Sequence, residues 1–213
     1  MTADAKPDAL AGAGVHASHP VHANLPMADL VAHSIRRNEG RLTEDGALLV
    51  NTGVHTGRSA RDKFVVDEAS VTADIWWGNV NQRLAPEKFA VLRGRVQAYL
   101  QGQQLYTQDL YAGADPAHRV RVRVVTTQAW SALFARNMFI RPPAAELADF
   151  RPDYVILHAP QFQADPAIDG VRTATAVALS FEQRLIVIAG TEYAGEIKKS
   201  IFTVMNWKLR AGG

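Results

Sequence analysis

The sequence contains no cysteine among its 213 residues. Disulfides and thiolate metal sites are therefore excluded, and so is any dithiol redox chemistry. It also has no apolar run near the ~18–20 residues a membrane helix requires. A secretory leader is not expected either, because Lys6 is the only early lysine and no continuous apolar stretch follows it. These absences make a cytoplasmic protein with no membrane partner the expectation. A large excess of charge of one sign is lacking as well. The formal net charge is +2, with a sequence pI near 9.0, which describes a mildly basic surface and not a polyanion binder. The patterns HExxH, GxSxG and CxxC are missing, leaving zincin, serine-hydrolase and dithiol readings without support. No internal repeat is present.

What the chain does have is ordinary soluble-globular composition, 47% hydrophobic and 21% charged. Its length suits one domain, or one and a fraction. Residues 1–24 are rich in Ala, Gly, His and Pro without apolar periodicity, and read as a flexible leader. His16, His19 and His22 within it read as part of that tail, since three-residue spacing without a folded frame is weak for metal binding.

From residue 25 onward, strand and helix signals are interspersed. Residues 27–38 read as a short amphipathic helix ended by Gly40, and 86–100 as a helix with Pro86 at its first turn. Strands are expected at 47–50, 63–66, 105–111, 154–157, 174–181 and 185–188. Arg119 to Val125 alternates Arg and Val, the period-2 pattern of a strand with one wet face. This arginine row is expected to be solvated, and no nucleic-acid partner is expected from it. Residues 127–140 read as an apolar helix with Trp130, Phe134 and Met138 in the core. A carboxy-terminal helix opens across 191–198 and places Ile197, Ile201, Val204 and Met205 on one face. The class is α/β with a mixed sheet and flanking helices.

Two polar segments are candidates for chemistry. The first, Asn51 to Lys63, is a loop after a strand, with Gly53 and Gly57 bracketing Val54-His55-Thr56 and Arg58 following. Glycines let backbone N–H groups approach an anion, and a guanidinium grips a carboxylate or phosphate with two parallel bonds. It is not a Walker A loop, which needs four residues between its glycines and a lysine after the second. The second segment, Gly190 to Ser200, joins a strand end to a helix start. Lys198 and Lys199 sit where the helix dipole disfavours cations, a misfit that points to a nearby anion or metal-bound phosphate. Glu196 is the expected local offset. A lysine near other cations or partly desolvated has a lowered pKa and can offer a lone pair to a metal.

In this order the two segments resemble the ATP-dependent phosphoenolpyruvate carboxykinases, whose signatures are TGxxTGRSxxDK and GTxYxGExKK. Here they read Thr52-Gly53, Thr56-Gly57-Arg58-Ser59 and Asp62-Lys63, then Gly190-Thr191, Tyr193, Gly195-Glu196 and Lys198-Lys199. Asp74-Ile75-Trp76-Trp77, Gly113-Ala114-Asp115-Pro116 and Arg136 to Pro142 also look like family segments. The resemblance spans about residues 25–207 and implies the amino-terminal substrate domain of that fold. It implies the reaction of oxaloacetate and ATP to phosphoenolpyruvate, ADP and carbon dioxide, a step in gluconeogenesis. It further implies that Arg58 grips the substrate carboxylate, Tyr193 contacts substrate, and Lys199 ligates Mn²⁺ (or Mg²⁺) and touches substrate and ATP phosphate. Lys198 would give electrostatic support. The family's GxxxxGK[ST] loop and its metal-binding His and Asp lie downstream, in a carboxy-terminal nucleotide-binding domain that this sequence does not contain. The expectation is a substrate half with little catalysis alone. The alternative is a non-catalytic anion-binding or interaction domain.

Overall fold

A computed structural model describes residues 7–10, 12–78 and 80–211. Among them the chain forms ten strands and five α-helices. In order these are β1 (Val21–Ala23), α1 (Met27–Arg36), β2 (Gly40–Leu42), β3 (Leu48–Val50), β4 (Lys63–Val66), β5 (Gln82–Leu84), α2 (Pro86–Gln101), β6 (Leu105–Ala112), β7 (Val120–Thr126), α3 (Ala129–Met138), β8 (Tyr154–Ala159), α4 (Pro166–Asp169), β9 (Ala176–Ser180), β10 (Leu185–Ala189) and α5 (Gly195–Ala211).

Eight strands make one mixed sheet in the order β1-β6-β7-β8-β10-β9-β4-β5, and β2 pairs with β3 in a separate hairpin. Strands β7, β8 and β10 run parallel to each other, while β6–β7 and β9–β10 are antiparallel pairs. The parallel centre needs both faces covered, and its strands are accordingly apolar on both. In β10, Leu185, Val187 and Ala189 point into one core with Phe89, Leu92, Val96 and Leu100 of α2. Ile186 and Ile188 point into the other, with Ile197, Ile201 and Val204 of α5. This is the period-2 alternation of a strand meeting the 3.6-residue period of a helix.

The mixed α/β class expected from the sequence is the one adopted, with several local departures. Residues read as a loose leader are packed over much of their length. Leu10, Ala13 and Val15 are buried in the α2-side core, and β1 pairs in parallel with β6. Three residues carry no periodicity to read, so this edge strand is made by its partner and not by local preference. Residues 1–6 lie outside the described residues. His22 stacks on the Tyr106 ring at 5.1 Å and meets His33 edge-on at 4.7 Å.

The arginine row is solvated only in part, with Arg121 exposed and Arg123 buried. Arg123 is buried against Asp109 at 2.6 Å, Arg121 pairs with Asp153 at 2.7 Å, and Arg119 lies over the Tyr111 ring. Helix α3 places Trp130 in the core but leaves Met138 exposed at its last turn. Helix α1 stops at Arg36 because Asn38 takes the left-handed turn (φ 57°), two residues before Gly40. Among the described residues, no helix is long and apolar enough to cross a membrane.

Candidate functional site

The two polar segments start from different sheets, the first from the β2–β3 hairpin and the second from the main sheet. The first leaves β3, and an Asx turn starts it, the Gly53 N–H donating to Asn51 Oδ1 at 2.9 Å. It ends in a short 3-10 turn (Ala60–Asp62) that feeds β4. The Asp62 carboxylate is buried and accepts from Arg172 and the Thr173 hydroxyl, both at 2.9 Å, anchoring that end. The second segment leaves β10 at Gly190. Its φ is +70°, and a Cβ there would lie 2.3 Å from the Ala174 carbonyl oxygen, so only glycine fits this turn.

Fully buried His158 fixes the next residue. Its Nε2 faces the Thr191 carbonyl oxygen at 3.1 Å, which can only accept, so Nε2 carries the proton. Nδ1 then accepts from the Thr126 hydroxyl at 2.9 Å. Burial pushes the His158 pKa down to about 4, which keeps the ring neutral.

The fold brings the two segments into contact at three places. A Cβ on Gly53 would sit 3.5 Å from Glu192 Oε1, so the glycine turn lies against that side chain. His55 links Ser59 to Thr175. Thr175 donates its hydroxyl to the Gly190 carbonyl at 3.0 Å and so accepts from His55 Nε2 at 2.9 Å, leaving Nδ1 to accept from the Ser59 hydroxyl at 3.0 Å. The third contact is the Glu196 carboxylate in the first turn of α5. It accepts the Ser59 N–H at 2.8 Å and pairs with Arg58 Nε at 3.8 Å, across 137 residues of sequence.

Helix periodicity then arranges the cations. Glu196, Lys199 and Thr203 fall at i, i+3 and i+7, one line along α5. Arg58 meets this line at Glu196, and Lys63 meets it at Thr203, its ammonium donating to the hydroxyl at 3.1 Å. Lys199 sits between them, half-buried, its ammonium 5.3 Å from the Phe202 ring centroid. Lys198 points to solvent. Tyr193 packs on Gly195, where a Cβ would lie 2.4 Å from its ring.

Of the predicted site residues, the structure thus gathers Arg58, Tyr193 and Lys199 around the start of α5 and turns Lys198 outward. Among the described residues, the Arg58 guanidinium and the Tyr193 hydroxyl make no hydrogen bond, and neither lysine of the pair has an ion-pair partner.

Sequence reasoning missed two participants. Glu196 makes no ion pair with Lys198 or Lys199 among the described residues. It faces the first loop, a contact that local sequence cannot reveal. Lys63 is the lysine whose pKa is lowered, first by burial and then by Arg58, with Glu196 opposing. A polar cavity of about 440 Å³ opens beside the Gly53–Glu192 contact, lined in part by Arg37, Glu39, Gln128 and Gln161. Arg58, Tyr193 and Lys199 do not line it. Its polar groups largely satisfy one another, Gln128 donating to Glu192 and Arg37 to Glu39.

With this geometry in view, comparison with known proteins is decisive. The family model described as phosphoenolpyruvate carboxykinase, its ATP-dependent form, matches residues 19–213. The chain belongs to this family. A phosphoenolpyruvate carboxykinase (ATP) of Thermus thermophilus is 52% identical over 204 residues, which is 94% of this chain and 39% of that protein. The phosphoenolpyruvate carboxykinase (ATP) of Methylorubrum extorquens strain PA1 is 48% identical over 91% of this chain and 36% of its own length. That of Geobacillus thermodenitrificans is 50% identical, covering 91% and 37%. The chain therefore spans less than two fifths of the length of these carboxykinases.

A divalent metal is part of what family membership implies. The described residues do not make a complete site for one, since no three His, Asp or Glu side chains among them converge. Glu196 is already engaged by Ser59 and Arg58. Lys199 offers one nitrogen donor.

Proposed function

We propose that this chain is the substrate domain of an ATP-dependent phosphoenolpyruvate carboxykinase, the half that grips oxaloacetate and phosphoenolpyruvate. One observation carries the reading. The loop bearing Arg58 is bound to the same helical turn that carries Lys199 and follows Tyr193, so these three polar side chains gather around the start of α5.

The roles follow from their chemistry. Arg58 presents a planar fork to the substrate carboxylate. Tyr193, held by its packing on Gly195, donates a hydrogen bond to the same molecule. Lys199 places positive charge where the enolate oxygen develops as the C–C bond to carbon dioxide breaks. That oxygen then attacks the terminal phosphoryl group of ATP, with ADP leaving, and Lys199 faces the transferred phosphate. Lys198, solvent-facing, adds long-range positive potential only. Bound Mn²⁺ or Mg²⁺ would supply Lewis-acid charge neutralisation, with Lys199 as one ligand and the others from outside this chain. The main ATP phosphate cradle also lies outside it. In the cell this is a cytoplasmic, gluconeogenic activity.

The test is calorimetric titration of the 213-residue chain with phosphoenolpyruvate, beside Arg58→Ala. Wild-type binding that is lost with Arg58 supports the reading. No binding, or equal binding by both, refutes the substrate-gripping role and leaves a non-catalytic interaction domain. Normal turnover by this chain alone would refute the assignment of the nucleotide cradle to residues outside it.

A further inference from the structure

We infer that Glu196 is a positioning residue whose buried carboxylate clamps the Arg58 loop onto α5, setting the guanidinium at the working distance from Lys199 and Tyr193. This rests on the substrate-domain reading above for its functional consequence, but the clamp itself is a matter of geometry.

The side chain of Glu196 is 4% exposed, whereas that of Arg58 is 39% exposed. A carboxylate so buried keeps its charge only when donors surround it. Those donors come from the loop, through the Ser59 N–H at 2.8 Å and Arg58 at 3.8 Å. The loop has few competing anchors on this side. Val54 is 92% exposed, and the other ties are the His55 link from Ser59 to Thr175 and the packing of Gly53 against Glu192. Releasing the carboxylate would leave the Ser59 N–H buried without its acceptor and Arg58 without the charge that orients it. Glu196 needs no direct contact with substrate to matter.

Position and charge predict opposite signs, which makes the inference testable. Removing a negative charge beside Arg58, Lys63 and Lys199 should tighten anion binding if only the field matters. If the clamp matters, binding weakens. Glu196→Gln retains an acceptor for Ser59 but loses the charge facing Arg58. Glu196→Ala loses both, and Glu196→Asp keeps the charge on a shorter reach, serving as the second variant should the alanine form fail to fold. Phosphoenolpyruvate affinity by calorimetry is expected to fall on the order of tenfold in Glu196→Gln. Hydrogen exchange at the Ser59 amide, read by NMR on the unliganded chain, is expected to accelerate at least about tenfold in Glu196→Ala or Glu196→Asp.

Binding by Glu196→Gln equal to or tighter than wild type overturns the inference. So does unchanged Ser59 protection in both the alanine and aspartate variants. If the wild-type chain binds no phosphoenolpyruvate, the substrate-domain reading fails instead, and the exchange measurement alone decides the clamp.

Discussion

Replacing Gly190 with alanine tests whether the turn that launches the second site segment is built as described. Two penalties apply. The first is conformational, because φ is +70° and an L-residue in the left-handed region costs about 1–2 kcal/mol. The second is steric. The new Cβ would stand 2.3 Å from the Ala174 oxygen, 3.0 Å from its carbonyl carbon and 3.1 Å from Thr175 Cα. All three are backbone atoms, so no rotamer change relieves them. Moving that backbone disturbs the Ala164 N–H bond to Ala174 at 2.9 Å and the Thr175 hydroxyl bond to Gly190 at 3.0 Å. Two hydrogen bonds weakened at about 1 kcal/mol each bring the total to about 3–4 kcal/mol. For a chain this size that is a fall of about 10 °C in the melting midpoint by calorimetry. Two controls separate the terms. Gly46 has φ +80° with no heavy atom within 4 Å of a built Cβ, so Gly46→Ala carries strain alone, about 4 °C. Gly94, inside α2 with the same open space, should gain about 0.5–1 kcal/mol as alanine. A Gly190→Ala midpoint within about 2 °C of Gly46→Ala would refute the close approach of Gly190 to the Ala174 backbone.

Two further outcomes follow from buried polar groups. Glu68, buried just beyond β4, accepts the Phe181 N–H at 3.0 Å, the Glu182 N–H at 3.1 Å and the Ser180 hydroxyl, pinning the β9–β10 turn. Glu68→Ala should lose about 3 kcal/mol in a urea titration, and a loss below about 1 kcal/mol would contradict this pinning. His158 should make the fold acid-sensitive. Its folded pKa of about 4 lies below the ordinary 6.5, so the unfolded chain takes the proton first on acidification. Its stabilisation is complete above pH 6.5 and is lost as pH falls toward 4, about 3 kcal/mol in all. His158→Gln should flatten the wild-type decline in that window, measured as unfolding free energy against pH, and an unaltered slope would refute a buried neutral imidazole.

The parts of the fold legible in sequence are those whose patterns are long and closed. The apolar runs of β8 and β10 and the stripe Ile197, Ile201, Val204 on α5 each specify a face, and each is buried as read. The parts that escaped are short or made by partners. β1 and β5 are three residues each and exist through parallel pairing with β6 and β4. Arg123 looked like the wet side of a strand because the chain shows alternation but not that Asp109, opposite it on β6, supplies a buried countercharge. The site divides the same way. Arg58, Tyr193 and Lys199 were reachable through the resemblance of two short motifs. Lys63 and Glu196 stood inside those motifs, yet their roles depend on a contact across 137 residues that only the folded sheet creates.

That contact also accounts for the placement of cations at a helix start. A cation near the amino end of α5 opposes the dipole, and Arg58 and Lys63 bring two more from the facing segment. Glu196, buried in the first turn, satisfies the dipole and the Ser59 N–H together. One carboxylate cannot offset all of these charges. Burial is the first cause of the lowered Lys63 pKa, Arg58 lowers it further, and Glu196 opposes both. Arg58, Lys63 and Lys199 thus share this contact with the single buried carboxylate of Glu196. A bound carboxylate or phosphate would offset these charges. This crowding of cations, more than any single side chain, is what favours the proposed anionic substrate.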